Sequence, residues 1–255
     1  MTYFTYQSKQ IYFEEIGNGP PLVLLHGNSA SAKMFDLLLP LYTEHFHVIL
    51  IDFLGNGRSE RIDSFPKDLW YSQALQVIAL IEHLGYKRVN LLGTSGGAWT
   101  AINAALERPD LIEKVVADSF DGRTLNPDFF ENLIKDRTFA RQDPMSRQFY
   151  EWCQGDDWAH IVDLDTEALS HYTREDLPPF HHPIESLQIP ALLIGSLEDE
   201  LLRDDLEAEY QTICRLIPNG SYYIFSTGGH PAIASNAEKT AELVTIFLNK
   251  GPKKK

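Results

Sequence analysis

The segment Gly93-Thr94-Ser95-Gly96-Gly97 constrains this chain more than any other part of it. It follows the apolar run Val89 to Leu92 and precedes the small-residue helix formers Ala98 to Leu106, which end before Pro109. A G-x-S-x-G between a buried strand and a helix predicts a sharp strand–turn–helix with serine at the apex. There the hydroxyl projects clear of both elements, in a strained conformation that persists only where the surroundings fix it. The flanking glycines are required because strand and helix approach too closely for a Cβ. The helix that begins at the turn points its positive end at the serine oxygen. A phosphate-binding turn is the competing interpretation. A dinucleotide fingerprint, however, belongs at the first strand–helix junction. That junction reads Leu25-His26-Gly27-Asn28-Ser29-Ala30, and no Walker lysine is present.

The rest of the chain supplies a sheet to carry this turn. Thr2 to Tyr6 and Gln10 to Glu15 predict an N-terminal hairpin around Gln7-Ser8-Lys9. Leu22 to Leu25, His47 to Ile51, Val89 to Leu92, Leu111 to Ala117, Ala191 to Ile194 and Tyr222 to Phe225 read as short strands. Helices are expected over Ser31 to Tyr42 (shortened or bent by Pro40), Asp68 to Leu84, Ala98 to Leu106 and Ala237 to Leu248. In the second of these, Leu75, Ile78, Leu80 and Ile81 form one apolar stripe, and Gly85 stops the helix. Strand alternating with helix predicts an α/β fold: a mostly parallel twisted sheet covered by helices on both faces. The pattern breaks over residues 120–186, which are acidic, aromatic and helical in patches. This predicts a helical cap inserted at 120–186 into a core formed by 1–119 and 187–255; connecting helices of the main domain are the alternative.

Composition narrows the partners. The 255 residues carry 36 Asp plus Glu against 22 Lys plus Arg, a formal charge of −14. That field repels phosphate backbones and anionic lipid, so neither nucleic acid nor membrane is an expected partner. The two cysteines, Cys153 and Cys214, sit in no CxxC and read as free thiols of a reducing compartment. The N-terminal residues lack a basic start followed by an apolar run, and the longest apolar stretches, such as Leu37 to Tyr42, are too short to span a bilayer. A cytoplasmic location is expected. The basic end, Lys250 to Lys255, reads as a solvated terminus. Monomer and homodimer are both compatible with the sequence.

An ester attacked by Ser95 passes through a tetrahedral oxyanion that needs preplaced donors. The Gly96 amide follows the serine directly. The Asn28 amide, in the first strand–helix loop, is the second candidate, with the Asn28 side chain mattering less than its backbone position. Gly27 is expected to allow close backbone approach there, and His26 to brace the loop. Of the 9 histidines, His230 stands out: Gly228 and Gly229 carry it over the sheet edge after the last strand. His181 and His182, beside prolines, read as surface or hinge residues. No HExxH or similar cluster indicates a metal. A carboxylate should orient His230, and the loop after Ala191 to Ile194 offers Glu198, Asp199 and Glu200. Asp199 is the candidate, with Glu198 as the alternative. Asp52 reads as structural, bonded to the backbone of its glycine-rich loop.

With these blocks in order, the sequence resembles the α/β-hydrolase superfamily. His26-Gly27 is similar to its oxyanion loop, Asp52-Phe53-Leu54-Gly55-Asn56-Gly57-Arg58-Ser59 to its D-x-x-G-x-G-x-S segment, and Gly93 to Gly97 to its nucleophile elbow. Gly195 to Asp199 resembles the acid loop and Gly228-Gly229-His230 the histidine loop. The usual family acid stands three residues after the loop glycine, at Glu198 here. Asp199 is retained because aspartate is the commoner family choice and a one-residue insertion is easily absorbed.

The resemblance implies acyl transfer through Ser95, Asp199 and His230, with Asn28 and Gly96 holding the oxyanion and no cofactor or metal. It implies a small-molecule substrate: a small to medium ester, thioester or amide. Relatives that use the same three groups include C–C bond hydrolases, lactonases and cofactor-free haloperoxidases. A non-catalytic ligand- or partner-binding protein of the same fold is a further alternative. Phe120, Tyr150, Trp152 and Trp158 are expected to form an apolar pocket. Trp99 is expected to pack beneath the core, and Asp121, Asp156 and Asp157 to lie on a solvated face.

Overall fold

A computed structural model describes residues 2–250. Residues 251–255, nearly all of the basic tail, lie outside the described residues. The strands are β1 (Thr2–Tyr6), β2 (Lys9–Ile16), β3 (Pro21–Leu25), β4 (His47–Asp52), β5 (Val89–Thr94), β6 (Ile112–Asp118), β7 (Ala191–Ser196) and β8 (Gly220–Phe225). The helices are α1 (Leu39–Thr43), α2 (Leu69–Leu84), α3 (Gly96–Glu107), α4 (Phe129–Gln142), α5 (Pro144–Gln154), α6 (Trp158–Arg174), α7 (Leu206–Leu216), α8 (Ala232–Ser235) and α9 (Ala237–Asn249). The strands form one sheet of eight in the order β1-β2-β4-β3-β5-β6-β7-β8. The N-terminal hairpin joins it antiparallel through β2 and β4; from β4 to β8 every pairing is parallel.

Alternation along each central strand sorts its side chains onto two faces. Val23, Leu25, Ile49 and Ile51 lie in the core layer that also takes in the buried faces of α2 and α3. Leu22, Leu24, Val48 and Leu50 pack beneath α1 and α9. Covering both faces explains why these strands read as continuous apolar runs. The parallel register brings the carboxyl ends of the central strands to one edge: Leu25 pairs with Gly93, Thr94 with Asp118, and Asp118 with Ile194. Asn28, Ser95, Asp199 and His230 all stand on the segments leaving that edge.

Two local expectations change. Ser31 to Tyr42 is not one helix. It is a 3-10 turn over Ala32–Phe35 followed by α1, with Pro40 in the first turn of α1. Proline begins this helix because its missing N–H would have no intrahelical partner there. In α2 the buried surface also takes in Leu69, Trp70, Ala74 and Val77, while Leu75 is only half-buried. Gly85 ends α2 at φ 72°, as a left-handed C-terminal glycine.

Helices α4, α5 and α6 lie between β6 and β7 and pack on one another. They form an inserted helical cap, with the N-terminus of α5 closed by Asp143, whose carboxylate accepts the Ser146 N–H at 2.8 Å. Among the described residues no helix is long and apolar enough to cross a membrane.

The junction of β5 and α3 is the tightest place in the core. A Cβ on Gly93 would stand 1.9 Å from the Gly97 carbonyl oxygen, and one on Gly97 would stand 2.3 Å from the Leu25 carbonyl oxygen. Both obstacles are backbone atoms that cannot rotate away. Gly93→Ala is therefore expected to destabilise the protein by at least about 3 kcal/mol. Urea denaturation measures this, and a loss below 1 kcal/mol would contradict the packing described.

Candidate active site

Ser95 occupies φ 55°, ψ −126°, a region that costs a non-glycine residue about 1–3 kcal/mol. Its amide donates to the Asp118 carbonyl at 2.8 Å and its carbonyl accepts the Ala98 N–H at 2.9 Å. These bonds, and the glycine crossing below, hold the strained turn. α3 starts at the next residue, so its unpaired first amides and positive end adjoin the Ser95 hydroxyl.

The first strand–helix loop closes over this turn. A Cβ on Gly27 would stand 3.0 Å from Ser95 Cβ, so the loop backbone lies directly against the serine. Asn28 meets Gly96: a Cβ on Gly96 would reach within 2.1 Å of Asn28 Oδ1. The two candidate oxyanion residues thus abut beside Ser95. The Asn28 side chain matters more than expected, because its Oδ1 accepts Trp70 Nε1–H at 3.0 Å and ties the loop to α2. His26 braces the same loop. Its Nδ1 lies 2.8 Å from the Gly27 carbonyl, and its Nε2 accepts the Phe53 N–H at 3.2 Å. That pattern is the neutral Nδ1–H tautomer, and burial lowers the pKa of the ring. Asp52 accepts Ala32 N–H at 2.7 Å and Arg58 N–H at 2.8 Å, holding the loop from below.

On the opposite side of the serine, His230 Nδ1 lies 3.0 and 2.9 Å from the two carboxylate oxygens of Asp199. The Asp199 side chain is fully buried. Glu198 is turned elsewhere, accepting the Gly228 N–H at 3.1 Å, and Glu200 accepts the His230 N–H at 3.2 Å. Three consecutive acids thus hold one loop, and only the middle one reaches the imidazole. Burial pulls the pKa of His230 down, but the hydrogen bond and charge of Asp199, with Asp118 and Glu200 beyond, more than offset it, leaving it raised. Among the described residues no hydrogen bond joins the Ser95 and His230 side chains, although both face one cavity. Such contacts commonly tighten only with substrate bound.

Asp118 has no counterpart in the sequence reading. It ends β6 fully buried, with Oδ2 accepting Thr94 Oγ1–H at 2.7 Å and Ile233 N–H at 3.3 Å, and Oδ1 unpartnered among the described residues. It therefore bridges the serine turn and the helix that follows His230. Burial pushes its carboxyl up to about 7, against the opposing pull of Thr94, Ile233 and His230. One signal was available: parallel register from Ser95 places Asp118 and Ser119 at the same sheet edge.

A cavity of about 450 Å³ opens between this edge and the cap, lined by Ser95, His230, Asn28 and residues of α4 and α5. Of the expected pocket aromatics, Tyr150 lines it. Phe120 does not; it is fully buried against Tyr210, with ring centroids 5.3 Å apart. Trp158 stands behind Tyr150, stacked at 5.9 Å, and Trp152 faces outward, 38% exposed. Spacing in the sequence could not show which side of each cap helix faces the sheet. Trp99 is buried as expected, stacked on Trp70 at 4.2 Å, but it also forms part of the cavity floor. Asp121 is not on a solvated face. It is buried, accepts Asn126 N–H and Arg203 N–H, and is pushed up to about 6 chiefly by desolvation. Asp157 pairs with Arg61 at the cap's outer edge, and Asp156 is exposed. His181 and His182 pair with Asp68 and Glu107 away from the cavity.

The chain is similar to known proteins over nearly its whole length. Residues 22–243 match the family model described as alpha/beta hydrolase family. The chain is 34% identical to an uncharacterized hydrolase, YugF, of Bacillus subtilis, over 96% of each protein. It is 26% identical to a 2-hydroxy-6-oxononadienedioate/2-hydroxy-6-oxononatrienedioate hydrolase of Pseudomonas putida, over 94% of this chain and 91% of that one. Its fold superposes on the meta-cleavage product hydrolase CumD of Pseudomonas fluorescens with a TM-score of 0.79 at 19% identity, covering 98% of this chain and 97% of that one.

The burial of Asp118 has a measurable consequence. Its carboxyl is harder to ionise in the fold than in the unfolded chain, so the stability it contributes is present at low pH and lost as pH rises through about 7. Asp118→Asn cannot ionise. Between pH 5 and pH 8 its stability should improve relative to the native chain by roughly 2–3 kcal/mol. Urea denaturation at the two pH values measures the difference; a pH-independent difference would refute a neutral Asp118.

Proposed function

The chain belongs to the alpha/beta hydrolase family, and from that premise we propose that it is a serine hydrolase cleaving small to medium carboxylic esters through an acyl-enzyme. One observation carries the reading. The His230 imidazole is held at Nδ1 by Asp199 while it shares a cavity with Ser95, a strained serine at the positive end of α3. On this reading residues 120–186 act as the cap over that cavity.

Asp199 on Nδ1–H leaves Nε2 as the basic nitrogen. His230 takes the Ser95 proton as Oγ attacks the ester carbon, and Asp199 stabilises the imidazolium that forms. The amides of Asn28 and Gly96 donate to the oxyanion. His230 then protonates the leaving alcohol, activates water, and releases the acid and free Ser95.

The cavity walls support neutral or cationic substrates over anionic ones. Asp136 and Glu200 line it and form no ion pair among the described residues. Among the described residues its lining holds one Lys or Arg, Arg137, which is already paired with the buried Asp165. A dicarboxylate of the kind named for the Pseudomonas putida relative would meet like charge, with no unpaired Lys or Arg among the described residues of the lining to offset it. C–C bond hydrolysis, the second reading, draws on that similarity.

Burst kinetics with p-nitrophenyl acetate and butyrate test the proposal. A burst of about one equivalent should vanish in Ser95→Ala; an unchanged burst in that variant would sink the acyl-enzyme. Asp199→Asn should lower kcat by about 10³–10⁴, whereas Glu198→Gln should lower it by less than about tenfold. The reverse ranking would move the acid to Glu198. The kcat/KM profile should rise with pH and level off with an inflection above the ordinary imidazole value of about 6.5, because neutral His230 is the active form. A neutral acyl ester should exceed its ω-carboxylate counterpart in kcat/KM by at least about tenfold; parity would remove Asp136 and Glu200 as selectors.

A further inference from the structure

The loop that carries Asn28 is held from outside the core. Ser29 is buried at φ 54°, a left-handed conformation unusual for serine, and its Oγ accepts Arg137 Nη2–H at 3.1 Å from α4. The Ala30 carbonyl accepts Gln154 Nε2–H at 2.8 Å from α5. Ser31 Oγ–H donates to the Cys153 carbonyl at 2.9 Å, also on α5. Three successive residues after Asn28 are thus each tied to the cap. Core bonds hold the loop on either side of this stretch: Trp70 at Asn28 and Asp52 at Ala32.

The cap groups that make these ties are themselves fixed. Arg137 is buried, paired with Asp165 and bonded to Thr166 on α6. Gln154 is buried too; its Oε1 accepts the Gly57 N–H at 2.7 Å, and its Nε2 also reaches Asn56 Oδ1 at 3.0 Å. A guanidinium anchored by an ion pair on one side has little freedom left to choose where its remaining N–H groups point. Ser29 in turn cannot relax its backbone while its hydroxyl is held.

We infer that Arg137 and Gln154 are positioning residues: from the cap they hold residues 29–31 so that the Asn28 amide faces the oxyanion, and the oxyanion site is complete only with the cap seated. The inference rests on the serine-hydrolase reading above. Donors stabilise an oxyanion only when fixed in advance, and a displacement of about 1 Å can cost about 10² in rate. Cap seating and assembly of the oxyanion site are then one event. A substrate that seats the cap completes the machinery that cleaves it.

Ser29→Ala is the decisive variant, because it removes the tie while the Arg137–Asp165 pair remains. With p-nitrophenyl acetate, whose two-carbon acyl group makes least use of the cap, kcat should fall about tenfold while KM changes less than about twofold. Affinity for ethylboronic acid, which forms a tetrahedral anion on serine, should weaken in parallel with kcat. Arg137→Met should lower kcat about 10- to 100-fold, and adding Ser29→Ala to it should lower kcat no further, because both changes break one bond. Should Arg137→Met fail to fold, Ser29→Ala and the boronate decide alone. A kcat for Ser29→Ala within twofold of the native value, a rise in KM alone, or multiplicative effects in the double variant would overturn the inference. A native protein without a Ser95-dependent burst would instead refute the serine-hydrolase reading, before any cap variant is made.

Discussion

The backbone crossing of β5 and α3 is the constraint on which the rest of the structure depends. Gly93 faces the Gly97 carbonyl and Gly97 faces the Leu25 carbonyl with no room for a Cβ. That contact forces the chain to reverse within one residue, which puts Ser95 at positive φ. The same contact sets the distance between β3 and α3, and so where the Gly27 backbone lies relative to the serine. Strain at one residue is sustained because apolar packing on both sheet faces leaves the turn no alternative course.

Electrostatics then divide the site into two kinds of carboxylate. Asp199 is buried but bonded through both oxygens to an imidazole, so its burial is offset by a partner. Asp118 is buried with one oxygen unpartnered among the described residues, and burial pushes its carboxyl up to about 7. Both stand at the ends of adjacent strands. In the proposed mechanism Asp199 supports the charge that develops on His230, and Asp118 joins the serine turn to the segment after His230.

The cap adds a third layer. It closes a cavity over the sheet edge, lines part of that cavity with residues of α4 and α5, and bonds to the loop after Asn28. The arrangement divides labour between the layers. The core positions Ser95, Asp199 and His230, while the cap bonds to the loop after Asn28 and adds Asp136 to the cavity lining.

Much of this was legible in the sequence because it rests on local physics. Apolar runs of four to seven residues marked strands covered on both faces, and glycines at fixed spacing around Ser95 marked a turn that only close packing requires. The order of serine, acid loop and histidine loop followed from the chain itself. What the sequence left open depended on contacts between distant segments. Glu198 and Asp199 differ by one position in a loop, and which of them faces His230 is decided by how β7 leaves the sheet beside β8. The aromatic residues of the cap announce an apolar region, but whether Tyr150, Trp152 or Trp158 faces the cavity depends on the rotation of α5 and α6 against their neighbours. Asp118, Arg137 and Gln154 carry no local signature. Their roles arise only where residues far apart in the chain meet, because burial and hydrogen-bond partners are properties of the folded molecule rather than of any segment within it.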